Sequence, residues 1–282
     1  MIDLHTHSTM SDGTDPPERI PELAAAAQCA AVALTDHDTL IGLPAARQRA
    51  DQLGIRLVPG CEVSCAYGTA SAHVLVYFVD AEHGPLPDEL VRLRRDRVAR
   101  NRRLADRLVE LGLPGDYEEV VAEASAEERV GRPHFGAVLT RHGAATSVAD
   151  AFDRWLGDGR PAHVPKARVE PALVARLARA SGGVAVLAHP LSLGLTGDAL
   201  SAAVGELAEA GLVGIEAIYG RYSPPERAML RDLARRHDLV ATGGSDHHGA
   251  TKPDLTVGTG RGDLKVPDEV LARLEDRRPA FA

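Results

Sequence analysis

Aromatic residues make up only 4% of this 282-residue chain, cysteines number three, and only three of its 32 basic residues are lysine. Sparse aromatics leave few platforms on which successive bases can stack, which argues against a surface built to grip a long single strand. Three cysteines are an odd number, which argues against a disulfide framework, and Cys61-x-x-x-Cys65 has no second pair to complete a zinc knuckle. Cys29, Cys61 and Cys65 are therefore expected to be reduced structural thiols. No apolar stretch approaches the roughly 18 to 20 residues that cross a bilayer. The first residues already read as a strand rather than as a basic and then apolar leader, so the expected location is cytoplasmic. A net charge of −8 opposes whole-surface attraction to nucleic acid or anionic lipid, so any phosphate recognition must be local.

What the chain does have is 44% hydrophobic residues, enough to fill a sizeable core. Short apolar or β-branched runs at 2–5, 31–35, 56–63, 72–78, 184–189, 214–218 and 240–244 alternate with helical patterns. That alternation predicts a parallel α/β organisation. Polar residues cluster at the ends of these runs, which favours a barrel, because a barrel gathers different strand ends around one mouth. A doubly wound open sheet is the alternative, but no G-x-G-x-x-G follows the first strand. The alternation breaks between 85 and 165, where helices are expected at 88–111, 117–125, 133–141 and 149–156. The expected organisation is thus a barrel of residues 1–84 and 163–282, with a helical insertion, 85–162, covering its mouth. A last covering helix is expected within 264–282.

The strand ends carry the chemistry. His5 and His7 lie two apart, so in a strand they share a face and converge on one cation, while Asp12 reaches back from the loop that follows. Thr35-Asp36-His37-Asp38-Thr39 closes the second run, Glu62 lies in the third and His73 in the fourth. His189 ends the fifth run and Ser245-Asp246-His247-His248 follows the seventh. His247 should point away from its neighbours' site, and Asp36, Asp38 and Thr35 are expected to hydrogen-bond the outer nitrogens of ligand imidazoles.

These motifs, namely D-L-H-T-H-S at 3–8, S-D-G-T at 11–14, T-D-H-D-T at 35–39, P-G-C-E at 59–62, R-P-H at 132–134, A-H-P at 188–190 and G-S-D-H-H-G at 244–249, resemble those of the PHP family of metal-dependent phosphoesterases. That family is named for polymerase and histidinol phosphatase members. The resemblance implies a distorted (βα)7 barrel with the insertion after its fourth strand. It also implies two or three metal ions held by His5, His7, Asp12, His37, Glu62, His73, His134, Asp246 and His248. With Pro165-Lys166 and Ala188-His189-Pro190, the insertion makes the chain most similar to the branch of 3′,5′-nucleoside bisphosphate phosphatases, whose members also trim RNA from the 5′ end.

Imidazoles and carboxylates form a borderline to hard donor set suited to Mn²⁺, Fe²⁺ or Zn²⁺. Glu62 is the natural bridging carboxylate, Asp246 a ligand needed for turnover, and His189 a proton donor to the leaving alkoxide or a phosphate contact. Arg132, Lys166, Arg221 and Ser223 are candidate contacts for the outer phosphate oxygens, and Phe135, Tyr219 and Tyr222 for a base. The arginines within 92–107 are expected on the solvent face of a helix whose stripe is Leu90, Leu93, Leu104, Leu108 and Leu111.

The expected substrate is a small phosphate ester such as adenosine 3′,5′-bisphosphate, with short RNA beside it and no membrane or protein partner. Histidinol-phosphate phosphatase and a non-catalytic metal-bound regulatory module are the competing readings.

Overall fold

In a computed structural model, which describes residues 1–124, 126–165 and 169–280, the chain divides into two compact units, Met1–Leu90 with Arg168–Ala282, and Val91–Ala167. The first is a seven-stranded sheet in sequence order, β1 (Ile2–Asp3), β2 (Ala31–Leu34), β3 (Arg56–Tyr67), β4 (Ala70–Tyr77), β5 (Val184–Leu187), β6 (Gly214–Tyr219) and β7 (Val240–Gly244). Its edges meet: Leu4 N donates to Gly243 O at 3.2 Å, and His7 N to His247 O at 2.9 Å. The result is a nearly closed barrel. Helices α1 (Arg19–Ala26) and α2 (Leu43–Leu53) follow the first two strands. After α3 (Leu86–Glu110), α4 (Tyr117–Ala124), α5 (Arg132–Arg141) and the single turn α6 (Val148–Ala151), the chain returns through α7 (Pro171–Ala180) to β5. Helices α8 (Gly197–Glu209) and α9 (Pro224–Arg236) separate the last strands, and α10 (Glu269–Glu275), shorter than the expected terminal helix, ends the described chain.

One strand departs from the expected parallel arrangement. β4 pairs antiparallel with both β3 and β5. The cause is local: Tyr67 pairs with Ala70, leaving a two-residue turn of Gly68 and Thr69, with Gly68 at φ 57°, where a side chain is strained. A hairpin this short has no room for the crossover that parallel strands need. The reversal also explains why His73 lies near the start of its strand, since the start of β4 lies beside the later part of β3. His73 pairs with Ser64, two residues beyond Glu62, so His73 and Glu62 share one face of the sheet.

The helical unit has its own apolar core. Phe135, Leu139, Val120 and Leu156 are fully buried there, with Leu104 and Leu108 of α3 packed among them. Phe135 is thus core and has no face free to stack on a base. Leu104 and Leu108 follow the expected apolar stripe, while Arg100 departs from the expected solvent face and is 5% exposed.

Candidate metal centre

The barrel's polar residues converge just beyond the strands. His5 and His7 follow β1, both fully buried, with their Nε2 atoms 3.1 Å apart. The chain then turns sharply. Asp36 accepts from Ser8 N, Ser8 Oγ and Ser11 Oγ at 2.6–2.7 Å, and Gly13 packs so tightly that a Cβ would lie 2.7 Å from His7 O. This turn presents Asp12. Asp36 therefore braces the ligand loop rather than an imidazole nitrogen, which corrects the expectation. Thr35 behaves likewise, its hydroxyl accepting from Thr6 N and donating to Thr6 O.

Glu62 is 1% exposed and lies at the middle of the cluster. Its Oε2 is 3.2 Å from His5 Nε2, His7 Nε2 and His37 Nδ1, while Oε1 is 3.0 Å from His73 Nδ1 and His189 Nε2. The two oxygens thus face different imidazoles. Asp246 Oδ1 lies 3.3–3.5 Å from nitrogens of His5, His7 and His248, and Asp12 Oδ1 is 3.2 Å from His248 Nε2. Among the described residues three overlapping groups of potential ligands result: His7, Asp12, His37 and His248; His5, His7 and Asp246; His37, Glu62 and His73.

Two of these nitrogens, His37 Nδ1 and His248 Nε2, are buried beside carboxylates yet have no hydrogen-bond partner among the described residues. A buried donor or acceptor left unpaired costs about 1–3 kcal/mol. Divalent cations satisfy such atoms, and the donor set suits them. The electrostatics agree. Burial alone would raise the Glu62 carboxyl, yet His37, His5 and His73 hold it well below the usual carboxylate range. Burial disfavours a charged His7, but hydrogen bonds to Asp246 and Glu62 raise it to about 9. His37 goes the other way: burial, incompletely offset by Glu62 and Asp12, lowers it to about 3. Negative charge is fixed at the centre, and imidazoles crowd around it.

Three residues around the cluster extend it. Glu216, fully buried in β6, sets Oε1 2.9 Å from His5 Nδ1 and accepts from His189 N with Oε2 at 2.9 Å. It thereby orients a candidate ligand ring and pins His189, whose backbone (φ 25°, ψ 64°) is strained by on the order of 1–3 kcal/mol. Tyr219 donates to Asp246 Oδ2 at 2.8 Å, and Lys252 Nζ lies 2.6 Å from the same oxygen. Sequence reasoning gave Glu216 and Lys252 no role. The available signals were a lone carboxylate within the apolar run Gly214–Tyr219, and a lysine shortly after Ser245-Asp246-His247-His248 in a chain that otherwise uses arginine.

A cavity of about 470 Å³ borders Glu62, His73, His189, Asp246, Tyr219 and Lys252, among other residues.

The remaining candidates are placed as follows. His247 turns away, with Nδ1 2.8 Å from Leu255 O and Nε2 2.9 Å from Asp15 Oδ2. Ser223 caps α9 in a reciprocal box with Glu226, and Arg221 pairs with Asp254. Arg132 and His134 belong to the helical unit, where Arg132 pairs with Asp158 and His134 Nδ1 accepts from Gly131 N. Lys166 lies outside the described residues.

The fold and the site define a class: an α/β barrel built to hold divalent ions beyond its strands. A family model described as the PHP domain matches residues 3–114. The 5′-3′ exoribonuclease Rnm of Salmonella typhimurium is 35% identical over 252 residues, spanning 88% of this chain and 85% of that protein. The 3′,5′-nucleoside bisphosphate phosphatase of Chromobacterium violaceum is 32% identical over 259 residues, spanning 91% of this chain and 90% of its own. A solved structure from Bifidobacterium adolescentis, assigned as a metal-dependent phosphoesterase, superposes with a TM-score of 0.85 at 28% identity, covering 99% of this chain and 97% of that one. The chain belongs to the PHP family of metal-dependent phosphoesterases. Ions held here would supply Lewis acidity to a phosphoryl oxygen and a water acidified toward neutral pH.

Proposed function

We propose that this phosphoesterase removes the 3′-phosphate from nucleoside 3′,5′-bisphosphates such as adenosine 3′,5′-bisphosphate. In this reading His5, His7, Asp12, His37, Glu62, His73, Asp246 and His248 hold two or three Mn²⁺, Fe²⁺ or Zn²⁺ ions. The observation that carries the reading is the cavity: about 470 Å³ is of nucleotide size, and its wall joins the candidate ligands to Tyr219, Tyr222 and Lys252. Kinship with a bisphosphate phosphatase supports the same substrate class.

The residues divide the work. Glu62 and Asp246 fix negative charge where cations are needed, and Glu216 keeps His5 Nε2 turned toward that charge. His189 hands a proton to the departing alkoxide. Its Nε2 faces the cluster, and Ser192 Oγ, 3.0 Å from Nδ1, holds the ring. Tyr219 and Tyr222, in edge contact at 4.8 Å between ring centroids, provide an aromatic wall for the nucleoside. For Arg132, Lys166 and His134 the support is the sequence pattern alone.

Stepwise hydrolysis of short 5′-phosphorylated RNA is a second reading, favoured by the likeness to an exoribonuclease. Phosphate release from adenosine 3′,5′-bisphosphate, histidinol phosphate and a 5′-phosphorylated RNA trimer, measured side by side with Mn²⁺, tests these readings. Preferential release from the bisphosphate, leaving the 5′-monophosphate, is expected. Turnover of another ester alone would replace the substrate, and silence on all three would favour a regulatory module.

A further inference from the structure

Lys252 stands at the end of the turn after His248, and that turn is pinned. Gly249 adopts φ 65°, where a side chain is strained, Ala250 N donates to Thr14 Oγ1 at 2.8 Å, and the Thr251 hydroxyl donates to His248 O at 3.1 Å. The ammonium is thereby delivered to the cavity wall, 2.6 Å from Asp246 Oδ2. We propose that Lys252 binds a non-bridging oxygen of the substrate's phosphoryl group, a role that rests on the phosphoesterase reading above and adds a substrate contact to it.

Three observations carry the assignment. First, among the described residues that border this cavity Lys252 is the only lysine or arginine, while Glu62 and Asp246 present carboxylates to the same space. A phosphate carrying two negative charges needs a fixed cation on that wall, and an ammonium supplies a compact one. Second, an ammonium carries three donors, whereas its contact among the described residues is the single oxygen of Asp246. Donors remain for an incoming anion. Third, Asp246 Oδ2 also accepts from the Tyr219 hydroxyl, so the carboxylate keeps a partner when the ammonium leans toward substrate. Oδ1 faces His5, His7 and His248 instead. The side chain is 29% exposed, buried enough to be held and open enough to meet a ligand.

The competing role is purely structural: Lys252 only tethers Asp246. Lys252→Met and Lys252→Arg separate the two when metal content and the calorimetric affinity for inorganic phosphate are measured on the Mn²⁺-loaded full-length protein. Lys252→Met is expected to weaken phosphate binding about tenfold or more, with metal content and melting temperature unchanged, because a hydrogen bond to a charged group is lost. On p-nitrophenyl phosphate the loss should fall mainly on KM, and Lys252→Arg should restore most of it. Phosphate affinity unchanged by Lys252→Met, or weakened only in proportion to lost metal, overturns the proposal, as does a wild-type protein that binds no phosphate. Inorganic phosphate contains no nucleoside, so failure of the bisphosphate substrate leaves this test standing.

Discussion

The two units solve the problem of polar groups in opposite ways. In the helical unit most charges, the buried Arg100 apart, sit at the surface and find local partners: Arg92 meets Asp96, Arg102 meets Glu127 and Arg141 meets Glu119, around a core of Phe135 and aliphatic residues. Beyond the barrel strands, fully buried imidazoles face one another and share carboxylates, two ring nitrogens lack a hydrogen-bond partner among the described residues, and His189 and Asp246 hold positive φ. The first arrangement is what stability requires. The second is costly to the folded chain alone and becomes favourable with cations in place, so the contrast separates packing from function.

The largest break in that contrast comes from its centre. Glu62→Gln keeps the shape but removes the charge shared by five imidazoles, and kcat/KM should fall by at least about 10²–10³-fold. The far-ultraviolet dichroism should stay unchanged; activity within a few-fold of wild type would remove Glu62 from the site.

Phe135→Ala does the opposite. It should cost about 3–5 kcal/mol of stability by opening a cavity in the helical core, read by chemical denaturation. A cost under about 1 kcal/mol would mean that the core is less tightly packed than described.

Glu216→Gln sharpens the comparison one layer out. It leaves every candidate ligand in place but weakens the hold on His5, and metal affinity or activity should drop about 10–100-fold.

A further break in the contrast comes with pH. His7, raised to about 9, must lose its proton before a cation can take its place, so metal affinity should fall as pH drops below about 9 and level off above it. Titrations at pH 6, 7, 8 and 9 in a non-coordinating buffer read this directly; a flat profile would mean that metal displaces no proton from His7.

Much of the candidate site was legible because strand periodicity is local. His-x-His on a short strand, Thr-Asp-His-Asp at the end of the next and Ser-Asp-His-His after the last each announce themselves within a few residues. The reversal of β4 was not legible from periodicity, which is the same in both directions; only the brevity of Gly68-Thr69 forces it. Glu216 was hidden for another reason, since it meets His5 across 211 positions of sequence, a proximity that barrel closure alone creates. For Ser223 the text did hold the answer: Ser223-Pro-Pro-Glu226 is a helix-capping signature, and the structure uses it as a cap. Asp36 was placed in the right neighbourhood with the wrong partner, because loop geometry decides whether a carboxylate meets a ring nitrogen or a backbone N–H.

The central claim is that the cluster around Glu62 is a metal centre. Anomalous diffraction at the manganese edge from Mn²⁺-grown crystals tests it most directly. Two or three peaks are expected among His5, His7, His37, His73, Asp246 and His248, with Glu62 touching at least two of them. A cluster without anomalous density, in crystals of protein that hydrolyses a phosphate ester, would contradict it.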